Sequence, residues 1–360
     1  NFDFVRYKTT PEEGWGFVQS IAILGAGTRE KEAKKAVGRA KIVAYATNCA
    51  RVLSNIPGGD MTPKILVEKA KKNILGTGVT LKVLGVSEMK KLGMGGVLGV
   101  GQGSDEEPQF LILEYKKGGP KEQPLVLVGK GITFDTGGLN LKPSNSIHEM
   151  HMDMSGGAAV IASIVAAAKL GVKKNIIGLI PAAENMPSGS SYRPGDILKT
   201  MSGTTIEVTN TDAEGRVVLS DALTYAERYN PRLVVDIATL TGAAMVALGL
   251  RASAIFSKDD ELLSKLKVMG EESGDYVWPL PLWHEYEKDI KGTFGDIVNS
   301  GKSRYGGSIE GAIFLYQFAK KYPWAHIDMA PRMTATDDEY LSKGAAGAPV
   351  RLLIKLLETY

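Results

Sequence analysis

From Arg29 to Leu53 the positions Ala36, Val37, Ala40, Val43, Ala44, Thr47, Ala50 and Val52 recur at helical spacing, with one glycine and no proline in the run. This predicts one long helix, stopped by Asn55-Ile56-Pro57-Gly58-Gly59. Thr62-Pro63 opens a second helix through Lys72. Then the period shortens. Ser20–Leu24 near the start, and Val79–Gly85, Gln109–Tyr115, Pro124–Lys130, Asn175–Pro181, Ile206–Thr209 and Leu233–Ala238 further on, read as strands. Gly156–Leu170 reads as a helix of small residues, and Asp221–Tyr229 extends a helix begun near Arg216. The glycine-rich stretch Gly93–Gly103 lacks the Lys-Ser/Thr ending of a phosphate loop and reads as a turn-rich connection. Alternating strands and helices imply an α/β sandwich with a buried, largely parallel sheet.

Composition narrows the class. The 360 residues are 44% hydrophobic and 23% charged, the balance of a soluble globular chain with room for one large domain or two medium ones. Net charge is +3, and the basic clusters at Lys31–Lys35, Lys64–Lys72 and Lys116–Lys121 are mixed with acidic or apolar residues. They read as solvated faces, which argues against nucleic acid as a partner. The lone Cys49 excludes an intrachain disulfide and favours a cytoplasmic home. No apolar run is long enough to span a bilayer. The chain opens on Asn1 without a signal-peptide pattern, as a fragment or a processed chain would. Gly25-Ala26-Gly27 begins like a dinucleotide fingerprint, but Glu30 occupies the third glycine's place.

The chemistry gathers at predicted strand ends, where α/β sheets bind ligands. Lys130 directly follows an apolar strand, although desolvation disfavours its charge. Asp135, Lys142 and then Asp153 follow it. Further on, Asn210 to Leu219 reads NTDAEGRVVL and places Asp212, Glu214 and Arg216 two apart. On an extended segment these three would point the same way. Four carboxylates with a few cations are what a two-metal hydrolytic site requires. The histidines offer less. His148 and His151 sit in H-E-x-H, one residue short of a helical zinc motif, and His284 and His326 read as packing or hydrogen-bonding residues. No G-x-S-x-G marks a serine nucleophile.

GKGITFDTGG (129–138), LKP (141–143), DMSGGAAV (153–160), NTDAEGRVVL and DIATLTGA (236–243) together resemble the leucyl (cytosol) aminopeptidases in order and spacing. ARVLSNIPGGDMTP (50–63) and WAHIDMA (324–330) agree as well. The resemblance implies a three-layer sandwich with a mixed, largely parallel sheet. Residues 29–360 would be the catalytic domain with its linking helix, and 1–28 the remnant of an N-terminal α/β domain.

It also implies roles. Asp135 and Glu214 would bridge two divalent ions, zinc or manganese, with magnesium able to enter the looser site. Lys130 and Asp153 would complete the tighter site and Asp212 the looser one. Lys142 and Arg216 would be the catalytic cations, Arg216 holding a bicarbonate that shuttles the proton. Met150, Ala330 and Met333 would line an apolar pocket, with Asn210, Ala213, Thr239, Leu240 and Gly242 around the bound peptide. The implied activity is removal of an N-terminal residue, preferably apolar such as leucine, from short peptides by a homo-hexamer. A narrower dipeptidase of the cysteinylglycine type shares this metal shell. A non-catalytic, DNA-binding or structural oligomer would have lost part of the ligand set, and here the set is intact.

Overall fold

The computed structural model describes residues 4–10, 14, 16–25 and 27–360. The chain runs α1 (Glu30–Ser54), α2 (Pro63–Ile74), β1 (Thr80–Leu84), α3 (Val86–Leu92), α4 (Gly95–Gly101), β2 (Gln109–Lys116), β3 (Leu125–Gly129) and β4 (Gly131–Asp135). After the short α5 (Ser144–Ile147) come α6 (Ser155–Leu170), β5 (Asn175–Asn185), β6 (Ile197–Lys199), β7 (Thr205–Glu207), α7 (Glu214–Ala226) and β8 (Leu233–Ala238). The last part holds α8 (Gly242–Leu248), β9 (Ser253–Phe256), α9 (Asp260–Ser273), β10 (Val277–Pro279), β11 (Ile297–Val298), α10 (Gly307–Tyr316), β12 (Trp324–Asp328) and α11 (Val350–Thr359).

Among the described residues, nine strands form one sheet in the order β1-β2-β5-β3-β8-β12-β9-β10, with β4 also on β5. The centre β5-β3-β8-β12 is parallel, while β1–β2, β2–β5 and β12–β9 are antiparallel. Strand alternation builds the two cores. Leu125 and Leu127 face one side with α1, α2, α6, α9 and α11, whereas Val126 and Val128 face the other with α3, α4, α7 and α10. The result is the expected three-layer sandwich around a mixed, largely parallel sheet. β6, β7 and β11 form a separate small sheet.

Three expectations are corrected. Ser20–Leu24 joins no strand: Ile21, Ile23 and Leu24 are exposed, and no ladder among the described residues takes up their backbone. Ala26 lies outside the described residues. Gly93–Gly103 is not simply turns, because Gly95–Gly101 forms the buried helix α4. Its glycines serve close packing, since a Cβ on Gly96 would meet Val217 O at 2.4 Å. Finally, Ser144–Leu170 is by length and apolarity long enough to cross a membrane, yet 83% of its apolar window is buried inside the protein. It is apolar because α6 lies between the sheet and α1, with neighbours on every side.

On the opposite face, one buried acid ties α7 and α4 to the small sheet. Asp221 of α7 accepts from Val97 N at 2.9 Å and Met201 N at 2.8 Å. Burial pushes its carboxyl up to about 7, against the pull of those amides. A carboxyl raised in the fold contributes stability that is complete below its unfolded value of 3.8 and lost as pH rises through about 7. Asp221→Ala strands two buried amides and should cost roughly 2–4 kcal/mol, read as a lower urea midpoint. The variant should also flatten the pH dependence between those two values; an unchanged midpoint would remove Asp221 as a tie.

Candidate metal centre

The site is built where β3 breaks. β3 and β4 keep one register along β5, with Leu125 opposite Ile176 and Gly131 opposite Ala182, so Lys130 falls opposite Pro181, which has no amide hydrogen. Lys130 instead donates its N–H to Ile237 O at 2.9 Å and accepts from Gly157 N at 2.7 Å. Two residues later a register shift between Ile132 and Phe134 kinks β4 and aims Asp135. Asp153 ends the short turn Met150–Met152 just before α6. Asp212 lies in a turn and Glu214 opens α7, where the helix dipole favours an acid.

These side chains converge. Lys130 Nζ is 2.7 Å from Asp153 Oδ2 and 2.6 Å from Glu214 Oε1, and it donates to Thr239 O at 3.1 Å. Lys142 Nζ is 2.9 Å from Asp135 Oδ2 and 2.5 Å from Asp212 Oδ1. Carboxylate oxygens of Asp135, Asp212 and Glu214 all lie within 4.8 Å of one another. Gly215 makes room for this: a Cβ there would sit 2.6 Å from Lys130 Nζ.

Four acids against two ammonium groups leave a surplus of negative charge in a largely buried space. Burial, then the charge of Asp135, pushes Glu214 up to about 8. Burial likewise pushes Asp153 up to about 6, although Lys130 opposes it. Burial disfavours the charge on both lysines too, but the surrounding carboxylates outweigh it and hold them above their ordinary value. Asp153 Oδ2 and Glu214 Oε1 face the Lys130 ammonium, and Asp212 Oδ1 faces that of Lys142. Buried carboxylates that share one ammonium between two, in an acid-rich cluster of this size, fit divalent cations. Beside a dication the Lys130 amine could also give up its proton and ligate.

The cluster lies on a cavity of about 590 Å³ that also touches Met150, Thr239, Leu240, Gly242, Ala330 and Met333. A larger groove of about 780 Å³, between α1 and the stretch 340–346, lies away from the acids. Asn210 and Ala213 do not line the cavity; they shape the turn before α7, where Asn210 Oδ1 accepts from Asp212 N at 2.9 Å. Arg216 does not line it either. Glu214 and Arg216 are not on an extended segment, as the motif's spacing suggested, but two apart on a helix, and so are rotated by about 200°. Arg216 Nη1 donates to Asn299 O at 2.8 Å and to Glu310 Oε1 at 2.9 Å, while its Nε is buried without a partner.

Several positioning groups went unseen in the sequence. Asn185 Nδ2 donates to Asp135 Oδ1 at 2.8 Å and Thr211 O at 2.9 Å. Thr239, expected beside the bound peptide, also donates its Oγ1 hydroxyl to Asp153 Oδ1 at 2.6 Å. Asn299 Oδ1 accepts from Thr209 N at 2.8 Å and from Asn210 N at 3.2 Å. Asn185 ends a buried strand, the cue that drew attention to Lys130, and could have been found the same way. His148 reaches the cavity rim, His284 is exposed beside Glu285, and His326 is buried with Nδ1 2.5 Å from Asp236 Oδ1.

The chain is similar to known proteins. A probable cytosol aminopeptidase of Azoarcus sp. (strain BH72) is 47% identical over 339 residues, covering 94% of this chain and 67% of that protein. One from Roseiflexus castenholzii is 44% identical over 366 residues, covering 100% and 74%. The bottromycin maturation enzyme BotP superposes with a TM-score of 0.89 at 36% identity, over 99% of this chain and 76% of that one. BotP in complex with Mn gives a TM-score of 0.86 at 40% identity, over 90% and 72%. The sequence profile described as "cytosol aminopeptidase family, catalytic domain" matches residues 48–354, so this chain belongs to the cytosol aminopeptidase family, a family of metallo-aminopeptidase hydrolases.

Proposed function

We propose that this chain is a di-metal aminopeptidase that releases the N-terminal residue, preferably an apolar one such as leucine, from short peptides. The observation that carries the reading is the meeting of four acids and two lysines with Met150, Leu240, Ala330 and Met333 in one cavity. Asp135 and Glu214 would be shared between two ions, Lys130 and Asp153 would complete one site, and Asp212 would complete the other. When bound, the ions supply Lewis acidity and lower the pKa of water. Carboxylate and amine donors suit zinc, manganese or magnesium, and manganese is the metal named with BotP.

The chain's own groups do the rest. The apolar wall takes the first side chain. Lys142 donates to the scissile carbonyl oxygen as negative charge develops there. The resemblance assigns Arg216 to hold a bicarbonate as proton carrier, although the guanidinium does not line the cavity here. Residues 29–360 would act as one catalytic unit, working in the cytoplasm.

The test is a panel of aminoacyl-amides and cysteinylglycine, offered to metal-stripped protein with zinc, manganese or cobalt restored. Leucyl-amide should turn over fastest. Turnover of cysteinylglycine alone would favour the narrower dipeptidase, and no turnover with any metal would overturn the reading. We also expect assembly as a homo-hexamer. Light scattering should give a mass several times the chain's 38.6 kDa; a fully active monomer would remove the hexamer.

A further inference from the structure

The end of β12 carries a group that neither touches the cavity nor belongs to the acid cluster. Asp328 is fully buried and, among the described residues, makes no ion pair. Burying an unpaired carboxylate is costly unless donors surround it. Five do. Oδ1 accepts from Leu240 N at 3.1 Å, Thr241 N at 3.4 Å and Ala330 N at 3.2 Å. Oδ2 accepts from Thr241 Oγ1 at 2.6 Å and Ser308 Oγ at 3.3 Å.

Leu240, Thr241 and Ala330 all line the cavity, on two separate stretches of chain. Asp328 lies opposite Ala238 in the ladder between β12 and β8, so it sits between the loops that leave the two strands. Its hold reaches further through Thr241. That hydroxyl, turned toward Asp328, accepts from Ala244 N at 3.2 Å and so caps α8, which brings Met245 to the cavity wall.

We propose that Asp328 is a positioning residue that sets the width of the apolar end of the cavity, by tying the Leu240–Thr241 wall to Ala330. The inference rests on reading this cavity as an aminopeptidase side-chain pocket. Without Asp328 the two walls are free to separate, and the pocket discriminates less between side chains of different size. The metal ligands and Lys142 are left in place, so the loss falls on KM and on selectivity.

Asp328→Ala should raise KM for leucyl-amide about tenfold while kcat falls less than about threefold. It should also reduce the leucyl-to-alanyl ratio of kcat/KM about tenfold, the scale on which a few methylenes in a pocket discriminate. Metal content should match the wild type. Asp328→Asn keeps one acceptor oxygen and should restore both quantities to within about threefold. Thr241→Val, which keeps shape and loses the hydroxyl, should reduce the ratio by a smaller factor and carries the test if Asp328→Ala does not fold.

Calorimetric binding of leucine hydroxamate against alanine hydroxamate gives the same ratio without turnover. An unchanged ratio in folded Asp328→Ala, or in Thr241→Val where the alanine variant does not fold, would overturn the proposal. So would a uniform fall in kcat with KM unmoved. Wild-type protein that binds both hydroxamates but hydrolyses no amide would overturn the function and leave the positioning role to be read from the binding ratio. Binding of neither would overturn both.

Discussion

Chelation is expected to abolish peptide hydrolysis and lower the unfolding temperature, and added divalent ion should restore both. Asp135, Asp153, Asp212 and Glu214 outnumber Lys130 and Lys142, and most of the cluster is shielded from water. Without further positive charge the acids must be relieved by protons, which is why Glu214 is pushed up to about 8 and Asp153 to about 6. Metal therefore competes with protons for these oxygens, and affinity should rise with pH between about 6 and 8 as both acids give theirs up. An ion present at 1,000 times its Kd adds about 4 kcal/mol of stability. For a chain of this size that corresponds to roughly 5 °C or more in Tm. Elemental analysis should find two ions per chain before stripping and none after. Full activity in stripped protein would end the di-metal reading.

The sequence revealed local regularity more reliably than convergence. The α1 spacing and the strand–helix alternation through Ala238 are written within single segments, and they fold as expected. Lys130 stood out because an amine after an apolar strand has a desolvation cost to explain, and the structure places it among acids. The geometry of NTDAEGR was misread because side-chain direction depends on whether a short polar run continues a strand or starts a helix. That choice is made from a distance: Asn299, 89 residues away from Asn210, holds the turn. Asn185 and Asp328 were missed for the same reason. Each ends a buried strand, but its partners lie on distant segments that no local period brings together. Gly93–Gly103 shows the converse limit, since glycine signals a turn and a tight helix contact with the same letter.

Lys142→Ala is the variant expected to separate catalysis from metal holding. The two lysines look alike in the sequence, but their surroundings differ. Lys130 is 3% exposed and bound by Asp153, Glu214 and a backbone carbonyl, so its removal opens the metal shell itself. Lys142 is 14% exposed, reaches the cavity from the loop after β4, and among the described residues is paired with Asp135 and Asp212. Ions on those two acids would compete for its partners and leave its N–H groups to donate to substrate. Without ions on the acids, burial disfavours its charge but the nearby carboxylates outweigh that and hold it above its ordinary value. Losing a preorganised donor to a developing oxyanion typically costs about 100-fold to 1,000-fold in rate. We therefore expect Lys142→Ala to lower kcat by about 100-fold or more, with normal metal content and little change in KM. Lys142→Arg should recover little, because a planar guanidinium does not reproduce a compact ammonium in that space. Lys130→Ala should instead lose metal. If Lys142→Ala lost its metal while Lys130→Ala kept it, the two assignments would have to be exchanged.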